Sequence, residues 1–69
     1  MAREREISAQ RPWTDDETAA YLGKPPKTLA NWRHLGIGPA YIKVGNGVRY
    51  RPADVDRWLD ANTINPGAA

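Results

Sequence analysis

Lys24, Lys27, Arg33, Lys43, Arg49 and Arg51 stand in a stretch, Thr18 to Ala53, that contains no Asp or Glu. All eight acids lie outside it: Glu4, Glu6, Asp15, Asp16, Glu17, Asp54, Asp56 and Asp60. The formal net charge of +2 therefore conceals a centre of +6 between acidic flanks. Folded onto one face, such a centre is the electrostatic footprint of a polyanion binder; spread around a loop, it is an ordinary solvated surface. Other chemistries are poorly served. His34 is the single histidine, there is no Cys, and the only Ser lies near the N-terminus, so no nucleophile–base pair is on offer. Asp54, Asp56 and Asp60 fall at i, i+2 and i+6, a spacing that scatters carboxylates around a helix, so we expect a solvated polar face there and no metal. No enzyme activity and no cofactor are expected.

The elements that must present those cations are few. With 69 residues there is room for one domain and a small core, without disulfides to reinforce it. Three Trp and three Tyr supply buried area in place of Phe. No secretory signal and no apolar run of about 18 residues is present, so a cytoplasmic protein with no membrane partner is expected. Residues 1–12 alternate charges without an apolar period and read as a mobile arm, and residues 63–69 as a flexible tail. The folded unit is then 13–62.

Thr14-Asp15-Asp16-Glu17 is a capping box that opens a helix with three acids at its positive end. Thr18, Ala19 and Leu22 form its inward stripe and Gly23 its stop. Lys24-Pro25-Pro26 forces a tight connection, Pro26 suits the first position of a second helix, and that helix runs to about Leu35 before Gly36. Two short helices joined this way have helix-turn-helix geometry. At 100° per residue, Leu29 and Trp32 of the second helix point inward. Lys27, Ala30, Asn31 and His34 point outward, with Thr28 and Arg33 on the flanks.

A hairpin follows from Tyr41 to Arg51. A two-residue turn at Asn46-Gly47 would mix both faces. A three-residue loop, Gly45-Asn46-Gly47, instead pairs Val44 with Val48, Lys43 with Arg49, Ile42 with Tyr50 and Tyr41 with Arg51. That register gathers Ile42, Val44, Val48 and Tyr50 on an apolar face and Tyr41, Lys43, Arg49 and Arg51 on a basic one, so it is the one expected. Pro52 then opens a last helix in which Val55, Trp58 and Leu59 make the core stripe and Asn62 the stop. The fold class is mainly α with a small β-hairpin: a winged helix-turn-helix in the order α-turn-α-β-β-α.

Four segments, TDDETAAYLG, KTLANWR, GPAYIKVG and VRYRPADVDRWL, occur in that order and together cover nearly the whole folded part. In them the chain resembles the excisionase-type, MerR-like winged-helix domains of phages and actinobacterial mobile elements. The resemblance implies a second helix in the major groove of double-stranded DNA, with Lys27, Thr28, Asn31 and Arg33 at recognition positions. It also implies a wing against the adjacent minor groove or backbone, with Lys43, Arg49 and Arg51 at its contacts. Two departures stand out: Pro25 where relatives often carry a Ser cap, and Asn46-Gly47 at a wing tip where they often carry Arg.

Arg49, with its backbone fixed between Val48 and Tyr50, is the strongest candidate for a phosphate or narrow minor groove. Lys27 and Asn31 follow, one turn apart; Asn can bond adenine N6 and N7, and Lys can donate to guanine or phosphate. Asn31 is equally readable as a plain surface residue, and His34 as a phosphate contact or an exposed helix end. Trp32 and Trp58 read as core, Trp13 as packed beside the first helix, and Arg57 as the partner of a nearby Asp. Arg3, Arg5 and Arg11 add at most a weak pull on phosphates.

Three functions remain in play. The first is a sequence-specific excisionase, a recombination directionality factor that binds repeated sites, bends DNA and directs a phage-type integrase, with further copies of itself alongside. It is placed ahead of the second, a small transcriptional regulator, because the chain ends just after the winged domain. The third is a protein-interaction module whose basic face meets an acidic protein. Roughly six cations imply about 4–6 phosphate contacts and steep salt dependence.

Overall fold

A computed structural model describes residues 11–67. The expectations for residues 1–10, including Arg3 and Arg5, and for Ala68 and Ala69 lie outside the described residues.

The first helix, α1 (Asp15–Leu22), forms where its cap dictates. The Glu17 N–H donates to Thr14 Oγ1 at 3.2 Å, and the Thr14 N–H donates back to Glu17 Oε1 at 2.9 Å. The expected capping box is therefore complete. Arg11 also bonds the Glu17 carboxylate. Those partners, Arg11 first and the Thr14 amide second, hold the Glu17 pKa down at about 2. Gly23, at φ 71°, ends the helix in the left-handed conformation that L side chains avoid.

After the two prolines comes α2 (Pro26–Leu35), which starts with Pro26 at its first turn and ends at Gly36. Its inner face supplies Leu29, which is fully buried, and Trp32. The connector that follows passes tightly under the helix: Gly38, at φ 92°, leaves no room for a Cβ, which would sit 2.9 Å from Trp32 Cε3.

The wing is an antiparallel pair, β1 (Ile42–Val44) and β2 (Gly47–Arg49). Its register departs from expectation. Ile42 pairs with Arg49, Lys43 with Val48 and Val44 with Gly47, around a two-residue turn at Gly45-Asn46. Gly45 at φ 59° and an Asn46 without positive φ place the glycine first in the turn, the arrangement that suits the twist of a hairpin. A second backbone partner for Tyr50 sets this register. Trp13 forms an antiparallel bridge with Tyr50, through Trp13 N–H to Tyr50 O at 2.7 Å and Tyr50 N–H to Trp13 O at 2.9 Å. Backbone groups alternate sides along a strand, so Tyr50 cannot serve both Trp13 and Ile42. Val48 and Tyr50 therefore face the core, while Ile42 and Val44 share the outer face with Gly47 and Arg49.

The last helix, α3 (Pro52–Ala61), is entered through Arg51 and closed at Asn62, whose side-chain amide donates to Trp58 O at 2.8 Å. Thr18, Ala19, Leu29, Tyr50 and Val55 are the buried centre, with Trp13, Leu22, Trp32 and Val48 packed around it. The buried Thr18 hydroxyl donates to Thr14 O at 2.9 Å and so has a partner. Trp32, packed on the core as expected, meets Trp58 with ring centroids 5.2 Å apart, and Trp13 meets Tyr21 of α1 at 4.8 Å, beside the first helix as expected. Leu59 corrects the expected α3 stripe: it stays 37% exposed, because no described element covers that flank of the helix. Tyr21 Oη donates to Asp56 Oδ1 at 2.6 Å and ties α1 to α3.

Candidate nucleic-acid interface

On α2 the burial pattern follows the helical wheel. Lys27, Ala30, Asn31 and His34 are exposed, Thr28 is half-buried, and Leu29 and Trp32 hold the helix to α1 and α3. Pro25 gives the helix no side-chain cap, and the Thr28 N–H bonds the Pro25 carbonyl at 2.9 Å. The exposed face thus offers one cation, a carboxamide, an imidazole and a partly covered hydroxyl, all able to bond phosphate oxygens or base edges.

Arg33 behaves differently from its neighbours. It was expected beside Lys27 and Asn31 on the DNA side, but its side chain is only 17% exposed. Its guanidinium donates to both Asp15 carboxylate oxygens, at 2.8 and 3.1 Å, and to Tyr50 Oη at 2.9 Å. It also lies over the rings of Tyr41 and Tyr50, 5.7 and 5.9 Å from their centroids. Position 33, on the flank of the wheel, leans back across the wing root towards the acidic start of α1. Asp15 above all holds the guanidinium more firmly protonated than usual. Burial raises the Tyr50 phenol pKa, while Arg33 opposes that shift. In the free protein Arg33 is a clamp joining α1, α2 and the wing.

The wing cations are split rather than gathered. Lys43 sits opposite Val48 on the face that continues to the core and is itself exposed. Arg49 lies on the outer face, half-buried, and its Nη1 donates to the Val48 carbonyl at 2.8 Å. Arg51 stands past the strand at the start of α3 and is largely exposed, 3.9 Å from an Asp54 carboxylate oxygen. Tyr41 is exposed as expected, yet its ring faces Tyr50 at 6.1 Å instead of a basic strip.

Among the described residues, ion pairs join Arg11 to Glu17, Arg33 to Asp15, and Asp54 to both Arg51 and Arg57. Asp54 therefore serves as the counter-charge expected for Arg57, at 2.7 Å. Lys24, Lys27, Lys43 and Arg49 have no such partner among the described residues. Lys24 was not singled out as a contact residue, although the acid-free stretch contained it. It is exposed in the turn between α1 and α2. Asp15 had no signal in the sequence as Arg33's partner, since the two are 18 residues apart.

Two short helices around a glycine-ended turn, a two-stranded wing and a closing helix define a winged helix-turn-helix, a DNA-binding architecture. Residues 14–63 match the family model of a helix-turn-helix domain. The chain belongs to that family, one of excisionase-type helix-turn-helix domains, and is a DNA-binding domain of this kind. A comparison with curated proteins returns no match. No helix among the described residues is long and apolar enough to cross a membrane.

Proposed function

We propose that the protein binds double-stranded DNA sequence-specifically and acts as an excisionase, a recombination directionality factor. It would occupy repeated sites, bend the duplex and direct integrase-mediated excision in the bacterial cytoplasm. The observation that carries the DNA-binding mode is the exposed, acid-free outer face of α2, with Lys27, Thr28, Asn31 and His34 on a groove-sized helix. In this reading α2 enters the major groove, Asn31 reads a base edge, and Lys27 contacts a phosphate or guanine. Lys43, Arg49 and Arg51 grip the backbone beside it. Arg33 is left out of the contact set, since three of its five donors are engaged by Asp15 and Tyr50 and its charge is paired with Asp15. No catalytic residue and no cofactor belong to the proposal.

Membership of an excisionase-type family supports the recombination role. The test is selection of bound duplexes from a random DNA pool, with the winners footprinted at two protein concentrations. Directly repeated sites that fill together and bend support an excisionase. A single site or an inverted pair replaces that role with transcriptional regulation. No enrichment, together with binding only at low salt, removes the DNA reading in favour of an acidic protein partner.

A further inference from the structure

Gly47 is a glycine without a backbone reason to be one. Its φ is not in the left-handed region, unlike Gly23, Gly36, Gly38 and Gly45. Glycine inside a strand forfeits side-chain packing and costs conformational entropy, so alanine would ordinarily serve better there. A Cβ at this position would, however, meet Arg49 Nη1 at 3.3 Å and the Val44 carbonyl at 3.5 Å. Gly47 and Arg49 lie two apart on one face of β2, and the guanidinium is laid back along the strand over the bare Cα.

The same guanidinium is held from a second side. Val48, like Tyr50, directs its backbone groups away from β1, but the Trp13 bridge covers only Tyr50. The Val48 carbonyl is therefore at an open edge, and Arg49 Nη1 donates to it at 2.8 Å. One of the five donors of the guanidinium fixes its position, and the others are left for a ligand. No carboxylate among the described residues competes for it.

We propose that Gly47 is a positioning residue for DNA binding: its missing side chain is the seat that, with the Val48 carbonyl, pre-orders Arg49 for a backbone phosphate. This rests on the reading of Arg49 as a phosphate contact. An arginine already ordered loses less rotamer freedom on binding, and a fork held in one plane can take two oxygens of a phosphate at once. Gly47→Ala puts a methyl group against Nη1, which must give by a few tenths of an ångström and so loosens its hold on the Val48 carbonyl, without any loss of charge.

The test is a double-mutant cycle of Gly47→Ala and Arg49→Ala on the full chain, binding a labelled mixed-sequence DNA duplex. Thermal melting checks that each variant is folded. Arg49→Ala should weaken binding roughly tenfold or more. Gly47→Ala should weaken it roughly three- to tenfold in the wild-type background and not at all once Arg49 is gone. Relaxation of the Arg49 Nε–H by NMR gives a readout independent of binding: ordered in the wild type, mobile in Gly47→Ala. If Arg49→Ala binds like the wild type, the phosphate reading of Arg49 falls and the seat with it. If Arg49→Ala matters but Gly47→Ala costs nothing, or costs as much without Arg49, only the seat is overturned. An Arg49 Nε–H equally mobile in both proteins overturns it too.

Discussion

Arg33 shows how much a single position decides. Its ion pair with Asp15 is partly shielded, and the same guanidinium bonds a phenol that belongs to the core. Removing it leaves Asp15 and the buried Tyr50 hydroxyl short of a partner. Arg33→Ala should cost roughly 1–3 kcal/mol in denaturant unfolding. Any loss of DNA affinity should vanish at temperatures where the variant is fully folded. Asn31→Ala should leave stability alone and relax preference at one base pair, read from selected sequences; equal loss on specific and random duplexes would end its assignment as a base reader. Glu17 carries a pH dependence. Its pKa is lowered from the ordinary 4.5 to about 2 in the folded chain, so between these values the unfolded state binds more protons. Its contribution to stability is present above pH 4.5 and is lost as pH falls towards 2. Acid unfolding of Glu17→Gln should lack that part of the decline.

Among the elements, helix limits were legible because they are set locally. Thr14 and Glu17 sit three residues apart, and Pro26, Gly36, Pro52 and Asn62 act on their own backbones. The wing register was not legible, because it depends on Trp13, a residue distant in the chain that claims the Tyr50 backbone. The pairing of Arg33 with Asp15 and Tyr50 was not legible for the same reason: a wheel says which way a side chain leaves its helix but not what waits there. The outward direction of Lys27, Asn31 and His34 needed no such partner and was readable. The connector between α2 and the wing is the tightest joint between elements. Gly38→Ala adds a Cβ against the Trp32 ring and strains a positive-φ backbone, so it should lose about 1–3 kcal/mol in thermal or denaturant melts.

For the molecule as a whole, charge that looked continuous in the sequence is partly spent on internal pairs. Among the described residues, Lys24, Lys27, Lys43 and Arg49 lack a carboxylate partner, and Arg51 is only loosely engaged. Five such cations bound the slope of log affinity against log salt at about −4.5 for duplex DNA. Titrations over a range of salt concentrations should find no steeper value. Lys43→Ala and Arg49→Ala should each flatten the slope by about 0.9, and a folded Arg33 variant should leave it unchanged.

The Trp13–Tyr50 bridge also dictates an order of assembly. The contacts of the α1–turn–α2 unit are near neighbours in the chain and can close while the polypeptide is still being made. Trp13 cannot, because its strand partner is synthesised only after the hairpin tip. Until the wing emerges, a nascent chain carries an unmatched tryptophan and a helix pair whose core still lacks Tyr50 and Val55, so the domain cannot close before the last helix has been made.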